Sequence, residues 1–432
     1  MEQKLKDSGI PWIGIIPEHW EILRNKNVLV ELKEVVGEDT SFPLLSLSLS
    51  GVKLRDLDGG GKFPAEFTTY KKVQPHNLVF CLFDMDETPR TIGLSKHRGM
   101  ITGAYNVYKV CSEIVTPDWV YYFYLSIDQQ KALKPYYSGL RKVVKPETFT
   151  KIHLPVPPLA EQEAIAAYLD KKCGEIDELI EVEQQMISEL EAYRQSVITE
   201  AVTHGLDSDM AQKQSSIRGV DKIPTNWSEV NLLKAIYLRA RLGWRGLKAE
   251  EYVDEGFPFL SAFNIVNNQL IWKNLNFINK QRYDESPEIK LSLHDILIVK
   301  DGAGIGKCAR VEDMPLGEST VNSSLGVITV SVKLYYSYLF YFFLSSPFQD
   351  NVLFLKNGMG VPHLTQENLK SVRIPLPPVE EQKAIAEYLD AKCTEIDGLI
   401  KVKQEKIETL KQYRQSLIFE AVTGKTLITN NA

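Results

Sequence analysis

One segment of this chain is written twice, 220 residues apart and without a gap. Pro155–Thr203 (PVPPLAEQEAIAAYLDKKCGEIDELIEVEQQMISELEAYRQSVITEAVT) and Pro375–Thr423 (PLPPVEEQKAIAEYLDAKCTEIDGLIKVKQEKIETLKQYRQSLIFEAVT) agree at 31 of 49 positions. The stretches between the copies are similar in length but share little sequence. Any fold must therefore present two near-identical elements attached to two unlike ones.

Both copies have the pattern of a long helix. Pro157-Pro158 and Pro377-Pro378 cannot continue a preceding element, and the glutamates that follow suit the positive end of a helix dipole. Glycine closes each copy, at Gly205 and Gly424. Apolar residues recur at alternating steps of three and four: Ile165, Leu169, Cys173, Ile176, Ile180, Ile187, Leu190, Val197 and Ala201. The second copy repeats them at Ile385, Leu389, Cys393, Ile396, Ile400, Ile407, Leu410, Leu417 and Ala421. This is a coiled-coil seam. A helix of about 43 residues is roughly 65 Å long and needs a partner, the obvious one being its own copy, paired antiparallel with pseudo-twofold symmetry. Arg194 and Arg414 interrupt the seam at equivalent places, as do Glu183 and Lys403; they either fix the register or extend to solvent along their apolar stems. Cys173 and Cys393 lie on the stripe as small hydrophobes.

A weaker repeat opens the remaining regions: IPEHWEI (Ile16–Ile22) matches IPTNWSEV (Ile223–Val230), placing Trp20 and Trp227 at an offset of 207. The second region thus carries about 13 extra residues. Leu206–Asp221, polar and rich in Ser and Gln, reads as a linker. Within the regions, Leu44–Ser50 alternates with period two, and Asn77–Phe83 and Asp295–Lys300 are short apolar runs ending in turns. Trp119–Leu125 and Tyr335–Leu344 are aromatic-rich and helical in pattern, their rings better suited to a core than to stacking on bases. Each region reads as a compact α+β domain. The expected divisions are 1–154, a globular domain; 155–205, the first repeated helix; 206–374, linker and second globular domain; and 375–432, the second helix and tail.

At 432 residues, two or three domains are expected. No apolar run is long enough to span a bilayer, and the N-terminus lacks the order of a signal peptide. Five cysteines in no metal-binding spacing point to a reducing, cytoplasmic setting. The net charge of −6 argues against a nucleic-acid partner until it is divided. Ala160–Val202 holds 11 acidic and 3 basic residues and Glu380–Val422 holds 9 and 7, which leaves the rest of the chain at +4. The acid is on the helices and the base is on the globular regions.

Motifs of catalysis are missing. Asp301–Cys308 (DGAGIGKC) departs from the phosphate-binding spacing and reads as a glycine-rich turn. Seven histidines show no zinc-like pairing, and neither an NPPY-type loop nor an adenosylmethionine fingerprint occurs. Neither catalytic nor metal residues are assigned. Basic clusters recur instead. Arg90, Lys96 and Arg98 lie in Thr88–Ser112, which has no acidic residue, and Arg141, Lys142 and Lys145 lie in Leu140–Lys151. Arg239, Arg241 and Arg245 lie in Asn231–Ala249, with Trp244 beside the last; Lys300, Lys307, Arg310 and Lys356 sit in turn regions. These residues, Arg310 apart, are the candidate DNA contacts, arginines for guanine edges and lysines chiefly for phosphates.

The PxPPxxEQxxIxxYLD segments, taken with the IPxxW openings, resemble the DNA-specificity subunit of type I restriction-modification systems over essentially the whole chain. Gly139-Leu140-Arg141 with Lys145–Thr150, and Gly358–His363 with Leu364–Leu369, resemble that family's lead-in to its helices. The resemblance implies two target-recognition domains, each reading one half of an asymmetric, two-part DNA sequence. It also implies that the paired helices set the gap and dock two modification subunits. S-adenosylmethionine would sit on those subunits, and ATP and Mg²⁺ on restriction subunits, with no cofactor and no catalysis on this chain.

Overall fold

The computed structural model describes residues 4–39, 41–55, 66–111, 113–240, 249–302, 304–356, 364–365, 369 and 372–428. The architecture is α+β, with two long helices, Leu159–His204 and Val379–Val422, of 46 and 44 residues. The chain forms two compact units, residues 1–184 with 404–432 and residues 185–403, so each helix contributes one part to each unit.

The first unit is built on four antiparallel strands in the order Leu29–Leu32, Asn106–Val110, Leu78–Phe80, Ile92–Leu94. All three residues of Leu78–Phe80 are buried, which is why this run is continuously apolar instead of alternating. Against the sheet lies the helix Pro117–Gln130, started by Thr116, whose side chain accepts from the Trp119 amide, and by Pro117 at a position that needs no donor. Its residues from Trp119 to Asp128 are nearly all buried except Tyr121, so it is wrapped on almost every side and its aromatics belong to the core. Trp119 meets Trp20 edge to face, the ring centroids 5.4 Å apart.

The second unit repeats this frame with different residues. Its sheet runs Ile236–Arg239, Leu325–Val330, Ile296–Val299, Cys308–Arg310, again antiparallel throughout. The aromatic helix Tyr336–Leu344 is buried at eight positions, from Ser337 to Leu344. The additions to the frame differ. The first unit carries the hairpin Leu45–Ser48/Gly51–Leu54 and the pair Lys71–Val73/Gly99–Ile101. The second carries a three-stranded sheet, Asn276–Ile278, Phe257–Leu260 and Thr320–Val321, with one parallel pairing.

The repeated motif accounts for how a helix is fixed to its globular body. In the first unit Glu21–Arg24 pairs with His153–Val156, and in the second Ser228–Asn231 pairs with Arg373–Leu376, bringing each Trp opening beside the Pro-Pro helix start. Trp20 Nε1 donates to Glu161 (3.0 Å), and Trp227 Nε1 donates to Glu381 (2.8 Å). The next residue, Gln162 or Gln382, is fully buried. The Gln162 amide donates to the Pro157 and Ile114 carbonyls, both at 2.7 Å, and its oxygen accepts from the Thr116 amide at 2.9 Å. Gln382 does the same with Pro377 (2.8 Å), Lys333 (3.1 Å) and Tyr335 (2.7 Å). The aspartate of the YLD triplet, Asp170 or Asp390, accepts from the phenol of Tyr122 or Tyr341. Burial first, and that carboxylate second, push both phenols well up, so they remain donors.

Each body also holds the end of the other long helix. Gly424 (φ +67°) stands against Pro17 and Trp20, where a Cβ would overlap the proline ring, and Gly205 (φ +82°) stands against Trp227. In the first unit Ile165, Leu169, Cys173 and Ile176 share a core with Leu417, Ile418, Ala421 and Val422, and Ile180 and Leu410 are partly buried beside them. In the second, Ile198, Ala201 and Val202 share a core with Ile385, Leu389 and Cys393. Ile396 and Ile407 are buried, whereas Ile187, Leu190 and Ile400 are half-buried. Burial raises the thiol pKa of Cys173 and Cys393, consistent with inert packing residues.

Of the polar interruptions, Arg414, Glu183 and Arg194 are ion-paired, and the Lys403 ammonium lies 3.1 Å from the Met186 sulfur. Arg414 meets Asp177 at 3.3 Å and Glu183, buried, accepts from Lys406 at 2.7 Å, all within the first unit. Arg194 meets Asp397 at 3.0 Å within the second. Solvent extension alone therefore does not describe them.

Leu206–Asp221, expected as a linker, is largely folded. Gln212–Gln214 pairs with Lys222–Pro224, and Ile217 and Val220 enter the core. The first unit contains the same device, with Leu5–Asp7 paired to Ile15–Pro17 and Ile10 and Ile13 buried. A hairpin of mostly polar strands contributes so few apolar residues that period-two patterning does not register it.

Replacing Gln382 by leucine leaves three backbone groups without their partner, and each such buried group costs ~1–3 kcal/mol. The midpoint of urea unfolding of Gln382→Leu, or of Gln162→Leu, should fall by an amount equivalent to at least ~2 kcal/mol; an unchanged midpoint would show that these groups rehydrate.

Candidate nucleic-acid interface

The candidate cations fall into three classes by what holds them. Lys96, Lys145 and Lys307 are exposed, and Arg90 is half-buried with no carboxylate bound to it among the described residues. Arg98 is exposed and lies over the Phe42 ring, 4.1 Å from its centroid. Lys300 is half-buried, 3.8 Å from Asp301. Lys356 ends the helix Ser346–Lys356, with its side chain outside the described set. Arg241, Trp244 and Arg245 also lie outside the described residues, as does the Gly358–His363 lead-in.

Arg141 and Lys142 are tethered. They sit at the tip of a turn bridged by Ser138 and Val143. Arg141 forms a two-point contact with Asp84, at 2.5 and 3.3 Å, and lies 4.9 Å over Phe83, which in turn stacks on Tyr105. The hydrogen bond from Arg141 holds the Asp84 carboxyl below its ordinary range and raises the guanidinium pKa in return. Lys142 reaches Glu87 at 2.6 Å and Asp86 at 3.1 Å.

Arg239 and Arg310 prove to be internal struts. Arg239 donates to Asp295 (2.7 Å), Thr329 (2.8 Å) and the Lys290 carbonyl (2.8 Å); Asp295 itself is 1% exposed. The expectation that Arg239 reads a base is corrected by this cage, since a guanidinium spent on three protein acceptors has no fork left for guanine. Arg310 meets Asp390 at 2.9 Å and Glu312 at 2.8 Å, and lies over Phe340. It thus belongs to the helix anchor of the second unit. A sequence displays the charge of these arginines without the carboxylates that meet them.

The glycine-rich Asp301–Cys308 stretch, of which Ala303 lies outside the described residues, joins the adjacent strands Ile296–Val299 and Cys308–Arg310, with Gly302 and Gly306 at positive φ and the Gly306 amide donating to the Val299 carbonyl. A strand follows it, so no helix dipole faces a phosphate there. In the first unit the equivalent strands are joined by 81–91, which holds Asp84, Asp86 and Glu87. Nothing in the amino-acid sequence marks these acids, Phe83 or Tyr105 as part of an interface. Among the described residues no cluster of His, Cys, Asp and Glu could hold a metal ion, and no helix is long and apolar enough to cross a membrane.

A family model described as the type I restriction modification DNA specificity domain matches residues 103–192 and 244–411, together more than half of the chain. The chain belongs to that family. One relative in the specificity family is the type I restriction enzyme MjaVIII specificity subunit of Methanocaldococcus jannaschii, 25% identical over 426 residues, covering 96% of this chain and 95% of that protein. Another is the EcoBI specificity subunit of Escherichia coli, 26% identical over 280 residues, 63% of this chain and 58% of that one. A solved structure from work on the assembly and conformational transition of the type I restriction-modification system superposes with a TM-score of 0.72 at 17% identity, covering 95% of this chain and 99% of that one. That likeness is one of fold. The family is that of specificity subunits, so the chain is a non-catalytic, DNA-recognising component.

Replacing Arg239 by methionine strands the buried Asp295 carboxylate, a loss of about 3 kcal/mol in stability by chemical denaturation. Arg90→Ala and Lys307→Ala should leave the denaturation midpoint within ~0.5 kcal/mol of the parent while weakening DNA binding and flattening its salt dependence.

Proposed function

We propose that this chain is the DNA-reading subunit of a type I restriction-modification complex, recognising an asymmetric, two-part target. In this reading residues 1–154 and 206–374 are the target-recognition domains. The helices 155–205 and 375–432 pair as an antiparallel coiled coil that sets the spacing between half-sites and docks two modification subunits. S-adenosylmethionine belongs to those subunits, and ATP and Mg²⁺ to restriction subunits. The setting is the cytoplasm.

The observation that carries the reading is the duplicated anchor. Trp20–Glu161 and Trp227–Glu381, Gln162 and Gln382, Tyr122–Asp170 and Tyr341–Asp390 repeat contact for contact, while the bodies they hold carry different additional sheets. Equal mounts with unequal heads suit a protein that offers two like surfaces to a repeated partner and two unlike surfaces to DNA. The crossing pairs support antiparallel helices. Asp177 and Asp397 are 220 residues apart, as are Arg194 and Arg414, and each arginine meets the aspartate of the other helix. The candidate DNA contacts in this reading are Arg90, Lys96, Arg98, Arg141, Lys142 and Lys145 in the first domain, and Arg241, Arg245, Lys300, Lys307 and Lys356 in the second. Placing the base on the heads and the acid on the helices directs the duplex to the heads.

Mapping methylated adenines in DNA from cells expressing this chain with its modification partner should give one target made of two different half-sites. A palindrome, or methylation without a defined target, would refute the reading. Inserting one heptad into each helix adds ~10 Å, and should lengthen the spacer by about 3 base pairs with both half-sites unchanged.

A further inference from the structure

The turn at Gly139–Lys142 carries a leucine that stands out in solvent: Leu140 is fully exposed, at 103% of its reference area. Single exposed apolar residues are ordinary on a protein surface. This one differs in how firmly its backbone is held. Ser138 and Val143 exchange hydrogen bonds at 2.9 and 3.0 Å, and the Lys142 amide closes the turn on the Gly139 carbonyl at 3.1 Å. Gly139 (φ +69°) and Lys142 (φ +44°) both adopt left-handed backbone, which a lysine takes only where its surroundings impose it. The turn is also fastened to the 81–91 loop. The Asp84 amide donates to the Arg141 carbonyl at 2.7 Å, and the Val144 amide donates to the Leu82 carbonyl at 2.9 Å.

The side chains beside the leucine are fixed as well. Arg141 is held by Asp84 through Nε and Nη2 and rests on Phe83, while its Nη1 has no partner among the described residues. Lys142 is held by Asp86 and Glu87. An apolar side chain thus stands clear of a rigid turn, immediately followed by two oriented cations. The second region carries a similar sequence feature one residue further from its helix, where Gly358 is followed by Met359, another large apolar residue.

Resting on the reading of this chain as a DNA-specificity subunit, we propose that Leu140 is a wedge that enters the first half-site and partly unstacks one base step. The occupant is duplex DNA because the groups following the leucine are a guanidinium with a free edge and an ammonium. Such groups grip phosphate or guanine on the flank of an inserted apolar residue. The carboxylates beneath them orient the cations and keep the turn from binding phosphate indiscriminately. The turn therefore contributes to specific binding and little to non-specific binding.

The test uses the full-length chain assembled with its modification subunits, on duplexes carrying the mapped target with 2-aminopurine at successive positions of the first half-site. Binding of the parent should raise fluorescence severalfold at one step. Leu140→Ala should abolish that rise and weaken specific binding tenfold or more, with non-specific affinity unchanged, and Leu140→Met should restore both. Three results would overturn the wedge: no fluorescence change at any position with the parent, parental specific affinity in Leu140→Ala, or an equal loss of specific and non-specific binding. A loss of complex assembly in Leu140→Ala would overturn it too, by assigning the residue to a protein contact. These results differ from failure of the functional reading, which appears earlier, as parental complex that protects no defined sequence.

Discussion

A buried glutamine amide is the hinge on which each unit depends. Gln162 and Gln382 are fully enclosed, and each satisfies carbonyl and amide groups from two segments at once: the Pro-Pro helix start and the loop that leads into the aromatic helix. Those backbone groups sit where the chain enters helices, the places at which intrahelical partners are missing. No apolar residue could replace the amide, because burial without a partner costs more than the hydrophobic gain returns. The neighbouring glutamate fastens the Trp opening to the same point, and the aspartate eight residues further on fastens the aromatic helix. Proline, glutamate, glutamine and aspartate thus recur together because each closes one side of a single joint.

The joint specifies donors and acceptors more than residue identities. Trp119 donates through its indole to the Pro155 carbonyl, and Tyr338 donates through its phenol to the Pro375 carbonyl. Two different aromatics satisfy the same acceptor from the same position of a buried helix. This explains how the heads can share a frame of four strands and one helix while sharing little sequence. The frame needs burial and a donor at that place, and many sequences supply both.

Much of this was legible in the amino acids. The long helices, the aromatic helices and the central strands follow from proline placement, apolar spacing and runs of Val, Ile and Leu, which report local geometry directly. The hairpin at Gln212–Pro224 was not, because its stability comes from Ile217 and Val220 entering a core built by distant residues. The candidate interface was the least legible part. Arg239 and Arg141 look alike as charges. One is caged by Asp295, 56 residues away, and the other is steered by Asp84, 57 residues away. Whether a cation is strut or reader is decided by which carboxylate folds against it, and charge composition carries no record of that.

The division of the helices has a consequence for the order in which the protein is made. The second unit is one unbroken stretch, 185–403, whereas the first needs Leu417, Ile418, Ala421 and Val422 to complete the core around Ile165, Leu169 and Ile176. On the ribosome the earlier segment must therefore wait, its apolar stripe bare, until the second long helix has been translated. The body synthesised second is completed first. A nascent chain with so long an interval between exposure and closure depends on chaperones or on slow aggregation to survive the delay.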